Sequence, residues 1–442
     1  MRLRAIGRVW GLAWASAFAA SCVMSAGGGG DDHDTDAGAG GDADSDSDAD
    51  ACPDEDGDGY AAQACGGGDC DDASVAAHPG ALDGEGVGQW VVQTVDEEVA
   101  TASADLVAVA VDASAAPHVA YTMQDRRELR YATRIGDAWT IETVEPAADD
   151  RLSSLSMAMD PEGRPHVGYT FGRSSFEVRH AERSGDAWTI EPVWEPGPFG
   201  GASLGVADDG TVHVAFAHKT NLVSQLVHAW RSAGTWSVET VASSSAPYNT
   251  TVGGVLAVEG SDVHTLYWHT VSLLPELNRF YYRTDGVDLV VEHGSTTSGK
   301  SIVVESGGGT VHMTYVNDAG LVHATRSAPD PVVRGTADST DVRLDGGTDV
   351  AVDAQGAFHA VYMASHSTDV YSDGFELRHA TDADGPALHE TIEMGPSFGA
   401  PAIAAYGGDL HVCWRDRELG RVRCGTKAGP DGVDQDCDGE DG

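Results

Sequence analysis

The sequence predicts an all-β protein, a seven-bladed β-propeller, and two recurring phrases carry this prediction. The first phrase is a His followed three positions later by an aromatic residue, and it occurs seven times, at His118, His166, His213, His264, His312, His359 and His411. Successive copies lie 47 to 52 residues apart, which is the period of a repeat with one supersecondary unit per copy. The second phrase, typified by Leu129-Arg-Tyr-Ala132, follows each copy of the first. Seven copies of both predict seven structural units.

Each unit contains four short runs of alternating apolar and polar residues, which is the pattern of antiparallel strands. In the first unit these runs span 106–111, 118–121, 129–133 and 139–144, and clusters of Gly, Asp, Pro or Ser separate them. Four antiparallel strands form one propeller blade. The repeats therefore predict a propeller over residues 87–427.

The fourth strand of the repeat also predicts how the ring closes. Its pattern, Trp-x-(Val/Ile)-(Glu/Gln)-x-Val, is present at 139–144, 188–193 and 236–241, and also at 90–95, before any first strand. The seventh unit has no such strand after Cys424. We therefore expect residues 90–95 to complete the last blade, because closure leaves no sheet edge unpaired. This closure would bring the two ends of the chain together.

Residues 1–22 have the form of an export signal. Three Arg residues precede an apolar run at 9–20, which is too short to span a bilayer as a stable helix. The run leads into Ala19-Ala-Ser-Cys22, which resembles a bacterial lipobox, with Ala19 where Leu is usual. The resemblance implies a lipid on Cys22 and a protein anchored to the cell envelope, at the outer membrane or the cell surface. The alternative is cleavage at 17–19, with Cys22 an ordinary thiol and the protein secreted.

Acidic residues outnumber basic residues by 70 to 26, which gives a formal net charge of −44. Residues 23–86 contain 18 Asp or Glu and no Lys or Arg. Within them, residues 23–51 are mostly Gly, Asp, Ala and Ser, a composition that predicts a disordered acidic tether. The charge disfavours nucleic acid as a partner and leaves the lipid anchor as the route to a membrane. We expect a monomer.

The seven repeated His residues could be taken for a ring of metal ligands. A residue that recurs in every blade is more economically explained as part of the fold, and we expect its ring nitrogens to bond to neighbouring backbone. The repeated Trp residues have the same explanation: we expect them in the core of the blades and not on a sugar-binding platform.

Two Cys residues of the seventh unit predict a cross-strand disulfide. Cys413 replaces the small residue of the second strand, and Cys424 replaces the Tyr or His of the third strand. In the other units these positions would lie opposite each other. Removing Cys22 from the seven Cys residues leaves an even set of six, which suits disulfide formation in an oxidising compartment.

The flanks of the propeller contain a cluster of carboxylates with the spacing of a metal site. Residues 54–60 read Asp-Glu-Asp-Gly-Asp-Gly-Tyr, so that Asp54, Asp56 and Asp58 alternate before a Gly. This is how a Ca²⁺ loop gathers hard oxygen ligands, although position twelve is Cys65 and not the Glu of an EF-hand. The candidate ligands in the two flanks are Asp54, Asp56, Asp58, Asp69, Asp71, Asp72, Asp431, Asp434, Asp436 and Asp438.

These segments resemble the Asp/Cys-rich metal-binding motif of bacterial secreted proteins, known from a copper-binding surface protein. Its first half matches within residues 52–86, including Asp69-Cys70-Asp-Asp72, and its second half matches within 428–442. The resemblance implies one composite knot in which Cys70, or Cys65, is bonded to Cys437. Pro430 and Gln435 stand where the family has Cys and Asn, so one family disulfide is lost or is rerouted through Cys52 or Cys65. Oxygen-rich ligation favours Ca²⁺, with copper or a solvated acidic knot as alternatives.

The sequence leaves two functions open. The first is a non-catalytic binding or scaffold lipoprotein of the cell envelope, whose propeller meets an envelope or extracellular protein or a glycan. The second is a secreted polysaccharide-active enzyme that uses acids in the propeller loops, although no catalytic motif is present. Convergence of three acids that are unique to their repeats, Asp125, Glu276 and Asp373, would favour the enzyme.

Overall fold

The computed structural model forms a seven-bladed β-propeller, and the described residues contain 28 strands in seven four-stranded antiparallel sheets. The structure describes residues 89–97, 106–123, 127–136, 138–146, 150–172, 176–185, 187–194, 198–220, 223–244, 250–271, 278–293, 298–305, 309–327, 330–339, 347–365, 374–382 and 388–428. Within these ranges no helix has the length and apolar character that crossing a membrane requires. The predicted fold class is confirmed.

The strands follow the chain in groups of four, from the inner to the outer edge of each blade. Blade 1 contains β2 (Val107–Val111), β3 (Pro117–Met123), β4 (Glu128–Ile135) and β5 (Ala138–Glu145). Blade 2 contains β6 (Arg151–Met159), β7 (Pro165–Gly172), β8 (Phe176–Ser184) and β9 (Ala187–Trp194). Blade 3 contains β10 (Pro198–Val206), β11 (Val212–Lys219), β12 (Ser224–Ser232) and β13 (Thr235–Ser244).

The remaining blades repeat this order. Blade 4 contains β14 (Thr250–Glu259), β15 (Asp262–Val271), β16 (Arg279–Thr284) and β17 (Val287–His293). Blade 5 contains β18 (Ser298–Val304), β19 (Thr310–Asn317), β20 (Gly320–Ser327) and β21 (Val333–Asp338). Blade 6 contains β22 (Thr348–Val352), β23 (Phe358–Ser365), β24 (Phe375–Thr381) and β25 (Leu388–Gly395). Blade 7 contains β26 (Ala402–Tyr406), β27 (Asp409–Asp416) and β28 (Arg421–Lys427), and β1 (Val91–Glu97) completes it.

The N-terminal strand closes the ring, as the orphan Trp phrase predicts. β1 pairs antiparallel with β28, and Val91 lies opposite Thr426. The strand begins one residue after Trp90 and runs to Glu97, slightly beyond the predicted 90–95. Closure therefore satisfies the outer edge of β28, which the last repeat alone would leave open.

The apolar core lies between the blades. One buried cluster joins Tyr131 of blade 1 to Val167 and Tyr169 of blade 2. Another joins Tyr121 and Val119 of blade 1 to residues of blade 7. Because each sheet buries both faces against its neighbours, the second strands are buried along almost their whole length, and both faces of a blade carry apolar residues.

A bulge between the third and fourth strands of every blade prepares a polar link to the next blade. In blade 1 the extra residue is the buried Val144, and Glu145 follows it. Glu145 accepts hydrogen bonds from the Tyr169 hydroxyl at 2.5 Å and from Arg179 of blade 2. The bulge thus directs one residue inward and aims the next carboxylate at the neighbouring blade. Asp96, Glu292 and Asp338 bind a Tyr and an Arg of the following blade in the same way, and Glu393 binds Arg423.

Candidate functional site

The seven inner strands surround a central channel that contains a cavity of about 330 Å³. The residues facing it come from one level of the inner strands: Ala108, Ser156, Ser203, Val255, Ser301, Asp349 and Ala402 occupy the same register position in blades 1 to 7, each opposite the residue two after the repeated His. This ring of small and polar side chains is the most enclosed polar surface in the described part of the chain. We take it as the candidate site.

Side chains of this ring satisfy the backbone of neighbouring inner strands. The hydroxyl of Ser156 accepts the Leu204 N–H at 3.0 Å, and the hydroxyl of Ser203 accepts the Leu256 N–H at 3.0 Å. The inner edge of each sheet would otherwise present unpaired N–H groups to the channel. Hydroxyls at this position therefore stitch blades 2, 3 and 4 into a continuous wall.

Asp349 performs the same task in blade 6 with a charged group. One of its oxygens accepts hydrogen bonds from the Ser301 hydroxyl at 2.5 Å and the Val350 N–H at 3.0 Å, and the other accepts the Ile403 N–H at 3.0 Å. Its carboxyl joins blades 5, 6 and 7. Burial raises the pKa of Asp349, although these hydrogen bonds act in the opposite direction.

Lys300 is the one cation among the described residues that line the cavity, and Asp349 is the one acid. The Lys300 ammonium lies 4.4 Å from the ring centroid of Trp268, the distance of a cation–π contact between blades 5 and 4. Burial lowers the pKa of Lys300 to about 8. The group therefore remains mostly protonated at neutral pH.

Gly253 makes room for the Trp268 indole. The two residues lie directly opposite each other in β14 and β15. A Cβ atom at Gly253 would stand 2.6 Å from the Trp268 Cζ2 atom, a separation that real Cβ atoms essentially never show. A residue with a side chain at position 253 would thus displace the indole from the inner strand and, with it, the aromatic surface that holds Lys300.

The repeated His residues form buried relays inside the blades. In blade 2, His166 contacts Asp160 through Nε2 at 3.2 Å and His180 through Nδ1 at 2.9 Å, and His180 contacts Glu191 at 3.2 Å. Blades 3, 5 and 6 contain the pairs His213–His228, His312–His323 and His359–His379, whereas Tyr131, Tyr282 and Thr426 are the partners in blades 1, 4 and 7. The expectation that the ring nitrogens bond to backbone is wrong, because cross-strand pairing places a polar side chain of the third strand nearer.

These relays support a structural role for the repeated His residues. All seven are at most 8% exposed, so a polymer in the channel would not reach their rings. In blade 2 two neutral imidazoles supply two N–H groups for three contacts, so the contact with Glu191 becomes a hydrogen bond when the pair carries a further proton. A neighbouring-blade residue also meets this relay, since the Trp236 Nε1–H donates to Glu191 at 3.2 Å.

The repeated Trp residues are half-buried between outer strands and do not lie in the centre of a blade. Trp188 of blade 2 donates to Glu142 of blade 1 at 3.1 Å, and Trp90 of blade 7 donates to Glu390 of blade 6 at 3.0 Å. The prediction of a core position within the blade is therefore only partly right. Their rings connect one blade to the preceding one.

Of the site residues that the sequence predicts, the structure describes one pair. Cys413 and Cys424 form the expected disulfide. The other positions lie outside the described residues: Cys22, Cys70, Cys437, all ten candidate Asp ligands, and the three loop acids Asp125, Glu276 and Asp373. Across the ranges that are described, no group of three or more His, Cys, Asp or Glu is arranged to hold a metal ion.

Sequence reasoning missed Lys300, Asp349 and the acids that orient the His residues. A signal for the acids was present, since Asp112, Asp160 and Asp353 each precede a repeated His by six positions. Their carboxylates contact the His Nε2 atoms at 3.0 to 3.2 Å. Lys300 could have been noticed as a charge at a position where the other repeats have Val107, Leu155, Ala202, Gly254, Thr348 and Pro401.

The chain matches no protein-family model and no curated protein sequence. Solved structures share its fold. An ulvan lyase, a polysaccharide lyase bound to a GlcA(1-4)Rha3S unit, aligns with a TM-score of 0.50 and 13% identity over 77% of this chain and 95% of the lyase. AofleA from Arthrobotrys oligospora aligns with a TM-score of 0.44 and 10% identity over 70% of this chain and 92% of that chain. The Aleuria aurantia lectin in complex with Fucα1-6GlcNAc gives 0.43 and 11% over 65% and 96%. At these identities the similarity is one of fold.

Proposed function

We propose that this protein is a non-catalytic binding propeller of the cell envelope and that it holds a glycan at its central channel. The observation that carries the proposal is the channel wall, where hydroxyls of Ser156, Ser203 and Ser301 and the ammonium of Lys300 surround a cavity of about 330 Å³. Small-molecule and cofactor sites have volumes of about 300–1,000 Å³ and a few precisely placed polar groups. A sugar unit offers the complementary hydroxyls.

Rigidity of the wall supports binding. Inter-blade hydrogen bonds through Ser156, Ser203 and Asp349 fix the inner strands before a ligand arrives. A preorganised wall reduces the ordering cost of association. The ulvan lyase shows that a propeller of this fold can hold a polysaccharide, and that property is brought to this chain only as part of the proposal.

The alternative is a polysaccharide-active enzyme. General acid–base catalysis needs a titratable group within hydrogen-bonding reach of the substrate. The repeated His residues, which would be natural candidates, are buried in their relays. Binding is therefore the function that the described channel supports better.

A glycan screen of the full-length chain, purified in detergent, tests both functions. We expect saturable binding of one class of polysaccharide without new reducing ends or unsaturated products. Turnover of the bound polymer would establish the enzyme instead, and no binding to any polysaccharide would overturn the proposal.

We further propose that Cys22 carries the lipid anchor and that the two Asp/Cys-rich flanks bind Ca²⁺ together. The sequence phrases described above are the basis of both proposals. Pairing of Val91 with Thr426 supports the second, because each of these strands is the one nearest in sequence to half of the motif. Copper remains the alternative ion, and secretion without an anchor remains the alternative location.

A further inference from the structure

We propose that Lys300 is the specificity residue of the channel and that it selects a glycan carrying carboxylate groups. This inference rests on the glycan-binding function proposed above. It names the chemical class of the ligand, an acidic sugar unit whose carboxylate meets the Lys300 ammonium while its hydroxyls meet neighbouring Ser and Thr side chains.

The first support is the distribution of charge in the cavity. Lys300 and Asp349 are the charged residues among those that line it. The Asp349 oxygens are already engaged by Ser301, Val350 and Ile403. Lys300 is therefore the charge in this wall that is best placed to decide which ligand enters, since a buried cation attracts an anion more strongly than it would in water.

The second support is that the fold has modified blade 4 to hold this ammonium. Trp268 occupies a position where the other blades have Thr122, Thr170, Ala217, Val316, Met363 and Arg415. Gly253, opposite Trp268, leaves the space that the indole fills. Trp268 is thus a positioning residue: its ring lies 4.4 Å from the Lys300 ammonium and keeps that group beside the channel.

The third support comes from solvation. Burial lowers the pKa of Lys300 to about 8, so the protonated state is held at a cost that a bound carboxylate would offset. The surrounding protein is strongly acidic, with a net charge of −44. This charge repels densely anionic polymers, so we expect a glycan with isolated carboxylates and not a nucleic acid or a highly sulfated chain.

The experiment compares acidic polysaccharides with their own neutral forms. Polygalacturonate, alginate and hyaluronan, and the same polymers with carboxyls reduced to alcohols, are titrated calorimetrically into the full-length protein at pH 7 and pH 9. We expect at least one acidic polymer to bind more tightly than its reduced form and to weaken at pH 9, where Lys300 is mostly neutral.

Three variants locate the effect. Lys300→Met, which keeps the length of the side chain, should weaken binding of the acidic polymer about tenfold or more and abolish its pH dependence, because a hydrogen bond to a charged group is lost. Lys300→Arg should retain most of the affinity. Trp268→Phe should weaken the acidic polymer more than the reduced polymer, and circular dichroism confirms that each variant is folded.

The outcomes separate the two proposals. If Lys300→Met binds acidic and reduced polymers as the wild type does, or if only neutral glycans bind the wild type, the carboxylate site is refuted while glycan binding stands. If free glucuronate binds as tightly as the polymers, a small carboxylate is the ligand and the polymer assignment fails. If no glycan binds at all, the function proposed for the channel fails first.

Discussion

Cys413 and Cys424 lie directly opposite each other in β27 and β28 and are joined by a disulfide, with their Cα atoms 4.1 Å apart. Both are buried in the apolar cluster that blade 7 shares with blade 1. Their strands are the ones to which the N-terminal strand is added at closure. The bond therefore fastens the blade on which the integrity of the ring depends.

Removing this disulfide should destabilise the propeller. The double variant Cys413→Ala and Cys424→Ala should lose about 2–3 kcal/mol of unfolding free energy, because a short loop of the unfolded chain is no longer constrained. Urea unfolding monitored by Trp fluorescence measures the loss. Cys65→Ala is the control for thiol removal outside the described blades, and an unchanged midpoint in the double variant would contradict the prediction.

Acid should destabilise the fold through buried imidazoles well before its carboxylates titrate. Burial lowers the pKa of His213 and His411 to about 4 and that of His323 to about 3. An unfolded His has a pKa of about 6.5, so the unfolded chain binds more protons below that pH. Stability is complete above pH 6.5 and falls as the pH drops towards 4, by up to about 1.4 kcal/mol per pH unit for each such His.

The variant His411→Gln tests this pH dependence. Its imidazole contacts Thr426 at 3.2 Å, and nearby Arg134 also lowers its pKa. The variant should show a shallower decline of unfolding free energy between pH 6.5 and 5. Asp112 and Glu390, whose pKa values are lowered to about 2, lose their contribution only below pH 4 or so and do not interfere. Equal slopes for wild type and variant would refute the assignment.

The repeat made the ring, its closure and the disulfide predictable, because each depends on counting copies and on matching register positions. The bulges were not predictable, since Val144 and Glu145 read as ordinary consecutive residues of a strand. Their effect, a carboxylate directed at Tyr169 of the next blade, follows from three-dimensional pairing. The same holds for Lys300, whose meaning depends on Trp268 of a different blade.

The wrong partner assigned to the repeated His residues has a related cause. Sequence alternation shows which face of a strand a residue occupies but not what lies across from it. In the structure Gly168 lies opposite His180, and the His166 ring extends diagonally to the His180 Nε2 atom at 2.9 Å. A side-chain partner therefore replaces the backbone partner that was expected.

Membrane attachment should depend on Cys22. Cys22→Ser should move the protein from the membrane fraction to the soluble fraction, because the lipid-bearing thiol is lost. Cys65→Ser, which leaves the signal untouched, should stay with the membrane. Unchanged partition of Cys22→Ser would favour cleavage at 17–19 and secretion.

Calcium should stabilise the full-length chain. At about 100 times its dissociation constant, a ligand that binds only the folded state adds about 2.7 kcal/mol. Asp56→Ala and Asp436→Ala should each abolish the gain in melting temperature, since both halves of the motif are needed. Asp42→Ala, in the acidic segment 23–51, should leave it unchanged. Calorimetry without a signal for Ca²⁺ or copper would eliminate the composite metal site.

Closure of the ring by β1 imposes an order in time on folding. Val91 is synthesised about 330 residues before its partner Thr426. At roughly 5–20 residues per second, this strand waits on the order of 20 to 70 s before its partner exists. During that interval blade 7 is incomplete and the ring stays open. Completion is therefore a late event that depends on the last-made residues, so a truncated or stalled chain would present open sheet edges to quality-control proteases.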